Sequence, residues 1–305
     1  MHHTIDFPGG KASRISCSFT KEVDIDNLKY ILHAADRNAA GWERRRPMIQ
    51  IDLTGKVVLV LGGSRGIGAG IVRVLCRAGA AVVFTHTGRQ ANRSRIARLL
   101  AEIEGEGGEA EDVVLGAMDS AGTSALVKQV ADKHGKIDGL VCNVGKNQAR
   151  PVEQISPESW GENLDLNLTS TFYGIQAVLP HMTAARYGRI VLIGSTAVFD
   201  GGSGAIDYVA AKSGLNGLVA YLCRNYTRRG IMANIIHPSA IETDLLMARY
   251  TDEKRKRRLI SEIPAGRLGK PEDIAGLVAF LLSTWGDYIC GQQIVADGGR
   301  TLFNR

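Results

Sequence analysis

Tyr208 and Lys212 place a phenol and an ammonium group four residues apart, the spacing that brings two side chains to one face of an α-helix. A phenol has an unperturbed pKa of about 10. A neighbouring cation favours the phenolate and moves this pKa toward neutrality, where the group can donate or accept a proton. Reduction of a carbonyl needs such a group, because an acid must protonate the oxygen when hydride reaches the carbon.

A second Tyr-x-x-x-Lys pair, Tyr250 and Lys254, means that the spacing alone does not decide which tyrosine is functional. Thirteen residues before Tyr208 stands Ser195, directly after an apolar run, whereas the residue thirteen positions before Tyr250 is His237. A hydroxyl at the end of a strand is well placed to meet a ligand. We therefore expect Tyr208 to be the functional residue and Tyr250 to lie on the surface or in a lid.

A glycine-rich turn, G-x-x-x-G-x-G, follows the first apolar run of the main part of the chain. Gly62 allows a tight turn, Gly66 lets the backbone approach a pyrophosphate, and Gly68 lets the next helix pack against the strand. The N-terminus of that helix offers N–H groups and the positive end of its dipole to phosphates. The pattern predicts a dinucleotide site made by Gly62, Ser64, Arg65, Gly66, Ile67 and Gly68.

The same turn contains G-x-S-x-G, the pattern that carries the nucleophile of serine hydrolases. Under that alternative, Ser64 would be the nucleophile, with Asp207 as the acid and His237 as the base. The alternative leaves Gly68 unexplained, and covalent labelling of Ser64 by a fluorophosphonate would support it.

The end of the second apolar run bears on the choice between NAD and NADP. An NAD site places Asp or Glu there to hold the ribose 2′-hydroxyl, but no acidic residue occurs between Ala80 and Ala101. Arg65, His86 and Arg89 could approach a 2′-phosphate with hydrogen-bond donors, although solvated arginines are the alternative interpretation. We expect NADP(H) rather than NAD(H).

Short apolar runs alternate with helical patterns from Lys56 onward, and these elements must position the residues above. Seven runs predict buried strands: Lys56–Leu61, Ala80–Thr85, Val113–Met118, Ile137–Cys142, Arg189–Gly194, Ile231–Ile236 and Gln293–Ala296. Helices between them, as over Gly66–Ala78 and Arg89–Glu104, predict a single doubly wound Rossmann-type α/β domain with a seven-stranded parallel sheet.

Together these features resemble the short-chain dehydrogenase/reductase family, over matching segments from about Leu53 to Leu302. The Asn–Ser–Tyr–Lys set of that family falls on Asn167, Ser195, Tyr208 and Lys212. The resemblance implies that Tyr208 is the general acid and that Ser195 hydrogen-bonds the substrate oxygen. It also implies that Lys212 binds the nicotinamide ribose and lowers the tyrosine pKa, and that Asn167 holds a water in the proton relay.

The resemblance extends to further cofactor contacts, which it places at Asn143, Gly145, Tyr208 and Lys212, and at Asp119 near the adenine. It also implies that the Ile241 backbone and the Thr243 hydroxyl hold the carboxamide of the nicotinamide. Three residues depart from the family pattern. Leu61 replaces the usual threonine before the turn, Cys142 replaces the first asparagine of N-N-A-G, and Ser239 replaces the glycine of P-G. None of the three changes removes a group that handles protons.

The substrate is indicated by a narrower similarity to bacterial 3-oxoacyl-acyl-carrier-protein reductases, in Ile263–Ile274 and Ile241–Asp244. Arg186 and Arg229 match positions at which that subfamily contacts its acidic carrier protein, and Lys254–Arg258 adds five basic residues suited to a carrier protein or to CoA phosphates, or to a solvated helix face. We expect a 3-oxoacyl thioester. The alternatives are a sugar, polyol, steroid or other secondary alcohol, and a non-catalytic NADP-binding sensor.

Composition excludes several classes of protein. The 305 residues, 45% of them hydrophobic and 22% charged, can bury a full core, which argues against disorder and against a disulfide-stapled module. The five scattered cysteines suit free thiols in a reducing cytoplasm. A formal charge of +6 permits an acidic partner without demanding nucleic acid. We expect no membrane span and no metal site.

Residues 1–52 break the α/β rhythm and are expected to be an N-terminal extension before a catalytic domain over 53–305. Ile25, Leu28, Ile31, Leu32 and Ala35 share one face of a predicted short amphipathic helix, and Arg44–Pro47 reads as a linker. Such an arm would pack on the domain or on a partner subunit. The family resemblance implies a homotetramer, with the helix over residues 207–230 packed against a neighbour.

Overall fold

The computed structural model describes residues 50–303 apart from 203 and 249, together with the backbone of two short antiparallel strands, His3–Thr4 and Ser16–Cys17. The side chains of Leu245 and Phe303 are not described. The chain forms two units, Met1–Gln50 and Ile51–Arg305. The predicted amphipathic helix and linker of the first unit lie outside the described residues.

The second unit is built on a seven-stranded, all-parallel sheet. Its strands are β1 (Val57–Leu61), β2 (Ala81–His86), β3 (Glu109–Val114), β4 (Gly139–Cys142), β5 (Gly188–Ile193), β6 (Ile231–Pro238) and β7 (Gln293–Ala296). They lie side by side in the order β3-β2-β1-β4-β5-β6-β7. The chain order reverses direction between β1 and β4, and ligands of such sheets bind at this point, beyond the carboxyl ends of the strands. The predicted fold is confirmed.

The helices connect successive strands and cover both faces of the sheet. They are α1 (Gly66–Arg77), α2 (Arg93–Gly105), α3 (Ser120–His134), α4 (Pro157–Leu164), α5 (Ser170–Ala185), α6 (Ala197–Asp200), α7 (Ile206–Tyr226), α8 (Asp244–Met247), α9 (Glu253–Ser261), α10 (Pro271–Leu282) and α11 (Arg300–Phe303). A π-helical turn, Asp165–Thr169, joins α4 to α5. Short 3₁₀ turns lie at Gln90–Asn92, Val152–Gln154, Thr227–Arg229 and Thr284–Gly286.

Alternation of side chains along β1 explains why one sheet carries two cores. Val58 and Val60 belong to the core under α1, α2 and α10, whereas Leu59 belongs to the core under α3, α5 and α7. Successive side chains of a strand point to opposite faces, so a strand that is apolar at every position must be covered on both sides.

The third strand differs from the prediction. The apolar run Val113–Met118 was expected to form it, but β3 spans Glu109–Val114 and only its last residues are apolar. Within the described residues, β3 is one of the two end strands of the sheet and pairs with β2 alone, and it carries charged residues, as edge strands commonly do. A search for buried apolar runs therefore misplaces it.

A small separate core holds the segment that follows β6. Leu259 of α9 packs with Ala240, Ile263 and Leu268, and all four are buried. Because Ala240 lies directly before Ile241, this core fixes α9 to the segment that the sequence links to the nicotinamide.

Among the described helices, none is both long and apolar enough to cross a membrane.

Candidate active site

The turn between β1 and α1 has a shape that requires glycine. Gly62 has φ +87° and its N–H donates to Thr85 Oγ1 at 3.1 Å. A Cβ on Gly68 would lie 2.0 Å from the carbonyl oxygen of Gly62, so any side chain there would push α1 away from the turn. Arg65 is the N-cap of α1 and makes no side-chain cap bond, and the first turn holds no acidic residue. This helix end can therefore receive the negative charge of a phosphate.

Gly66 brings the turn against the segment after β6. It has φ +52°, and a Cβ there would lie 3.0 Å from Thr243 Cγ2. Thr243 caps α8 by accepting a hydrogen bond from Leu246 N at 3.3 Å. Ile241 is buried and forms a parallel bridge with Gly269. The predicted phosphate and carboxamide segments thus meet at Gly66 and Thr243. Ser64 in the turn and Ile67 in the first turn of α1 are both half-buried.

The end of β4 connects the turn to the proposed catalytic residues. Asn143 Nδ2 donates to the carbonyl oxygen of Gly62 at 2.8 Å, so this side chain ties two strand ends together. Gly145 follows two residues later. A Cβ on Gly145 would lie 2.8 Å from Asn167 Oδ1 and 3.1 Å from Lys212 Nζ, so only glycine leaves room for both groups.

Lys212 is buried beneath Tyr208. Its side chain passes between the ends of two strands, and Nζ donates to the carbonyl oxygen of Ile193 at 3.0 Å and to that of Val144 at 3.4 Å. Nζ lies 6.0 Å from the centre of the Tyr208 ring. Burial lowers the pKa of Lys212 to about 8, and burial of the neighbouring thiol raises the pKa of Cys142 to about 12. Cys142 is therefore a neutral neighbour of the ammonium group.

Ser195 follows β5 and presents a hydroxyl at the carboxyl ends of the strands, where Lys212 and Tyr208 also lie. Its Oγ accepts a hydrogen bond from Ala197 N at 3.2 Å, which leaves the O–H hydrogen available to a substrate oxygen.

Asn167 lies in the π-helical turn between α4 and α5 and is fully buried. Its Oδ1 accepts from Lys146 N at 3.1 Å, and its Nδ2 donates to Lys146 O at 3.0 Å. A π-helical turn inside a helix often marks a functional position, because it turns a side chain away from the regular helical spacing. Here it directs Asn167 toward Gly145 and the end of β4.

Sequence reasoning did not find the contact between His237 and Ser195. His237 is the last residue but one of β6 and is fully buried, with Nδ1 3.2 Å from Ser195 N and 3.1 Å from Ser195 O. Its ring meets that of Phe199 edge to face at 5.1 Å. Burial lowers the pKa of His237, and the nearby Lys212 acts in the same direction. The two residues are 42 positions apart, and only the pairing of β5 with β6 brings them together.

Asp207, His237 and Ser64 do not form the triad of the hydrolase alternative. Asp207 accepts hydrogen bonds from Asn163 Nδ2 and Tyr208 N, and His237 contacts the Ser195 backbone. Within the described part of the chain, neither residue bonds to Ser64.

At the adenine end, His86 is committed to other contacts. Its Nδ1 accepts from Gly88 N at 3.1 Å, so Nε2 carries the hydrogen and donates to Asp112 Oδ2 at 2.9 Å. The exposed Arg65 and Arg89 are therefore better placed than His86 to provide donors to a 2′-phosphate. Asp112 comes from the edge strand that the sequence misplaced. Asp119 is exposed and caps α3, with Oδ1 accepting from Gly122 N at 2.7 Å.

Arg186 and Arg229 lie at the other edge of the sheet. Arg186 lies two residues before β5 and Arg229 two residues before β6, with the turn of Gly230 packed against the carbonyl oxygen of Arg186. Both side chains are exposed. Six residues of β5 span about 20 Å, so both arginines are roughly that far from Ser195. Tyr250 belongs instead to the small core under α9, where it is half-buried.

Comparison with known proteins agrees with this site. A family model described as "Enoyl-(Acyl carrier protein) reductase" matches residues 62–301. The chain is 35% identical over 253 residues to the 3-oxoacyl-[acyl-carrier-protein] reductase of Chlamydia pneumoniae, which covers 83% of this chain and 100% of that protein. A putative short-chain alcohol dehydrogenase from Sinorhizobium meliloti 1021 has a similar structure, with a TM-score of 0.77 and 33% identity over 83% of this chain and 98% of the other.

A second structure resembles the chain as closely. It is a putative NAD(P)-dependent gluconate 5-dehydrogenase from Beutenbergia cavernae with bound NADP, with a TM-score of 0.76 and 32% identity over 83% of this chain and 99% of the other. The protein belongs to the short-chain dehydrogenase/reductase family. It is therefore an enzyme of the oxidoreductase class.

Proposed function

We propose that the protein is an NADP(H)-dependent carbonyl reductase in which Tyr208 is the general acid and a 3-oxoacyl thioester is the substrate. The burial of Lys212 beside Tyr208, at the carboxyl ends of β4 and β5, carries the assignment. A buried ammonium group close to a phenol favours the phenolate. Tyr208 can then give up its proton to an oxygen near neutral pH.

Three side chains share the work at the substrate oxygen. Tyr208 donates the proton, and the Ser195 O–H donates a hydrogen bond that holds the oxygen and stabilises negative charge on it. Lys212 keeps its charge below a pH of about 8, and this charge lowers the cost of forming the phenolate. Asn167 presents its Oδ1 beside Gly145 and Lys212, where a water could return a proton to Tyr208.

The residues around the glycine turn fit a dinucleotide. The close approach at Gly68 and the uncapped start of α1 make a cradle for a pyrophosphate, and the nicotinamide end falls at Ile241 and Thr243. NADP(H) is the cofactor, because no carboxylate ends β2 and exposed arginines flank it. The similarity to a dehydrogenase that holds NADP supports this choice. When bound, NADPH supplies the hydride.

The 3-oxoacyl thioester follows from the curated relatives, which carry the name of 3-oxoacyl-[acyl-carrier-protein] reductases. The exposed face of α9 supports an anionic carrier, since Lys254, Arg257 and Arg258 surround the side of the helix opposite Leu259. Arg186 and Arg229 lie at the other end of the sheet, so a carrier protein docked on them could deliver its acyl group only to a neighbouring subunit.

Assembly into a homotetramer gives those arginines a role. Phe172 of α5 and Tyr221 of α7 are apolar side chains that stay 44% and 62% exposed, which suits helix faces that pack against another subunit.

The described cysteines Cys76, Cys142, Cys223 and Cys290 are free thiols, which suits the reducing cytoplasm.

A gluconate or other sugar substrate is the second candidate, because two similar structures carry the name gluconate 5-dehydrogenase, one of them as a putative one. Steady-state rates with NADPH should be compared for acetoacetyl-CoA, acetoacetyl-acyl-carrier protein, 5-ketogluconate and crotonyl-CoA. We expect the highest kcat/KM with a 3-oxoacyl thioester and a 3-hydroxyacyl product. Preference for 5-ketogluconate or reduction of crotonyl-CoA would contradict the substrate assignment. NADPH binding without turnover of any compound would indicate a sensor.

A further inference from the structure

A chain of buried hydrogen bonds connects two of the proposed catalytic residues. Asn167 Nδ2 donates to Asn163 Oδ1 at 2.7 Å, and Asn163 Nδ2 donates to Asp207 Oδ2 at 3.0 Å. Asp207 Oδ1 accepts from the backbone N–H of Tyr208 at 2.8 Å. Asn167 and Asp207 are fully buried, and Asn163 is only 8% exposed. This chain of hydrogen bonds thus connects the π-helical turn, through α4, to the first turn of α7.

Every hydrogen bond in this chain has a fixed direction. Lys146 sets it at one end, because its N–H must face Asn167 Oδ1 and its carbonyl oxygen must face Asn167 Nδ2. Asn163 must therefore turn Oδ1 toward Asn167, which leaves its Nδ2 to point at Asp207.

Residue 207 consequently receives N–H donors on two different oxygens, one from Asn163 and one from Tyr208. A carboxylate can accept on both oxygens, whereas the amide of asparagine has a single acceptor oxygen. The charge of Asp207 lies in the first turn of the 21-residue helix α7, where the positive end of the helix dipole stabilises an anion. Among these two side chains, only that of aspartate therefore offers an acceptor to both donors.

We propose that Asp207 and Asn163 are positioning residues, which fix the amide of Asn167 and the first turn of α7 so that Asn167 and Tyr208 keep one relative geometry. This inference rests on the proposed function, since it takes those two residues as members of the catalytic set. Asp207 exchanges no proton with the substrate and acts only through its neighbours.

Three variants test the inference: Asp207→Asn, Asn163→Asp and the double exchange. D207N leaves one of two buried N–H donors without an acceptor, and we expect kcat to fall roughly tenfold to a hundredfold. The double variant N163D/D207N restores an acceptor for every donor, with only the central bond between residues 163 and 207 reversed in direction. The carboxylate at 163 accepts from Asn167 and from the new amide at 207, whose oxygen accepts from Tyr208 N. Its kcat should return to within a few-fold of the wild-type value.

The single variant N163D adds a pH signature. Two carboxylates would face each other about 3 Å apart, and a shared proton would replace the missing N–H donor. The ratio of its kcat to that of the wild type should therefore rise as pH falls, whereas the ratio for D207N should not change with pH. The other titratable groups of α4, the π-helical turn, α6 and the N-terminal half of α7 are Glu158, Glu162, Asp165, Asp200, Tyr208 and Lys212. These groups and Lys146, which contacts Asn167 through its backbone, are common to all variants.

Asp165→Asn is the matched control. Asp165 lies in the same π-helical turn as Asn167, but it is exposed and bonds only to Thr169 Oγ1 among the described contacts. D165N should keep its kcat within about twofold of the wild type.

Thermal unfolding separates failure of this inference from failure of the proposed function. Each single variant should lose several degrees of Tm and the double variant should regain them, whether or not a substrate is reduced. A wild type that reduces none of the carbonyl compounds contradicts the proposed function alone. An active wild type with D207N equally active, or a double variant no better in kcat and Tm than its parents, overturns the positioning role.

Discussion

Lys212 Nζ lies 3.0 Å from the carbonyl oxygen of Ile193, the last residue of β5. The bond holds a buried ammonium group at the carboxyl ends of the strands, where Ser195 and Tyr208 also lie. Burial lowers the pKa of Lys212 to about 8 because the charged form loses hydration that two carbonyl oxygens replace only in part. The residue that we propose promotes proton transfer is thus also an electrostatic cost to the fold.

Tyr208→Phe tests the general acid directly. The variant keeps the ring and loses the proton donor, so we expect kcat to fall at least about a hundredfold while the Kd for NADPH changes little. Stopped-flow rates and fluorescence titration with NADPH measure the two quantities. Tyr250→Phe, which alters the tyrosine under α9, is the control and should keep its kcat. Substantial activity in Y208F would remove Tyr208 from its role.

The titration of Lys212 should appear in both activity and stability. Its pKa is about 8 in the folded protein against an ordinary lysine value of 10.5, so the unfolded chain binds more protons between these two pH values. The free energy of unfolding should therefore rise from pH 8 to pH 10.5, by an amount on the order of 3 kcal/mol. In the same window the ammonium group is lost, and kcat/KM should fall.

Denaturant unfolding of the wild type and Lys212→Met at a series of pH values isolates this effect. The methionine variant should be inactive, and its stability should lack the alkaline rise. An identical pH dependence in both proteins would show that Lys212 is not the titrating group.

The glycine turn tolerates no side chain at Gly68. A Cβ there would lie 2.0 Å from a backbone oxygen, so Gly68→Ala must displace α1, with a destabilisation of about 2 kcal/mol and a weaker Kd for NADPH. Gly276→Ala is the matched change in α10, where nothing lies within 4 Å of the new atom, and it should stabilise by about 0.5 to 1 kcal/mol. Calorimetry and NADPH titration distinguish the two variants. Equal behaviour would contradict the close approach in the turn.

His237 should make the fold sensitive to acid. Burial lowers the pKa of this histidine in the folded state, so the unfolded chain binds the additional proton as the pH falls below the ordinary value of 6.5. Above that pH, His237 therefore leaves the free energy of unfolding unchanged, and below it the free energy of unfolding falls. His237→Asn, which keeps an acceptor for Ser195 N but does not titrate, should lose less stability between pH 7 and pH 5 when Tm is compared. A wild-type Tm as insensitive to acid as that of the variant would contradict this assignment.

Deletion of residues 1–50 should leave turnover within a few-fold of the full-length value. The relative from Chlamydia pneumoniae is matched over its whole length by 83% of this chain, and the family match begins at residue 62. Rates with acetoacetyl-CoA and light scattering of both proteins measure activity and subunit number. Loss of activity together with dissociation would assign the extension to the subunit interface.

Local patterns in the sequence were sufficient to predict the fold and to select Tyr208, Lys212 and Ser195 as candidates, whereas Asn167 came from the family resemblance. The G-x-x-x-G-x-G turn and the Tyr208–Lys212 spacing depend on a few neighbouring residues, and the apolar runs depend on burial that repeats along the chain. The exception was β3, whose place at the edge of the sheet removed the apolar signal on which the prediction relied.

Contacts between distant residues were decided by the tertiary structure alone. The pairing of β5 with β6 places His237 against Ser195, and the packing of α4 on α7 joins Asn163 to Asp207 across 44 positions. His86 donates its Nε2 hydrogen to Asp112 because β2 and β3 lie side by side. Whether a side chain donates or accepts a hydrogen bond depends on the group that it faces. Strand order and helix packing determine which groups face each other.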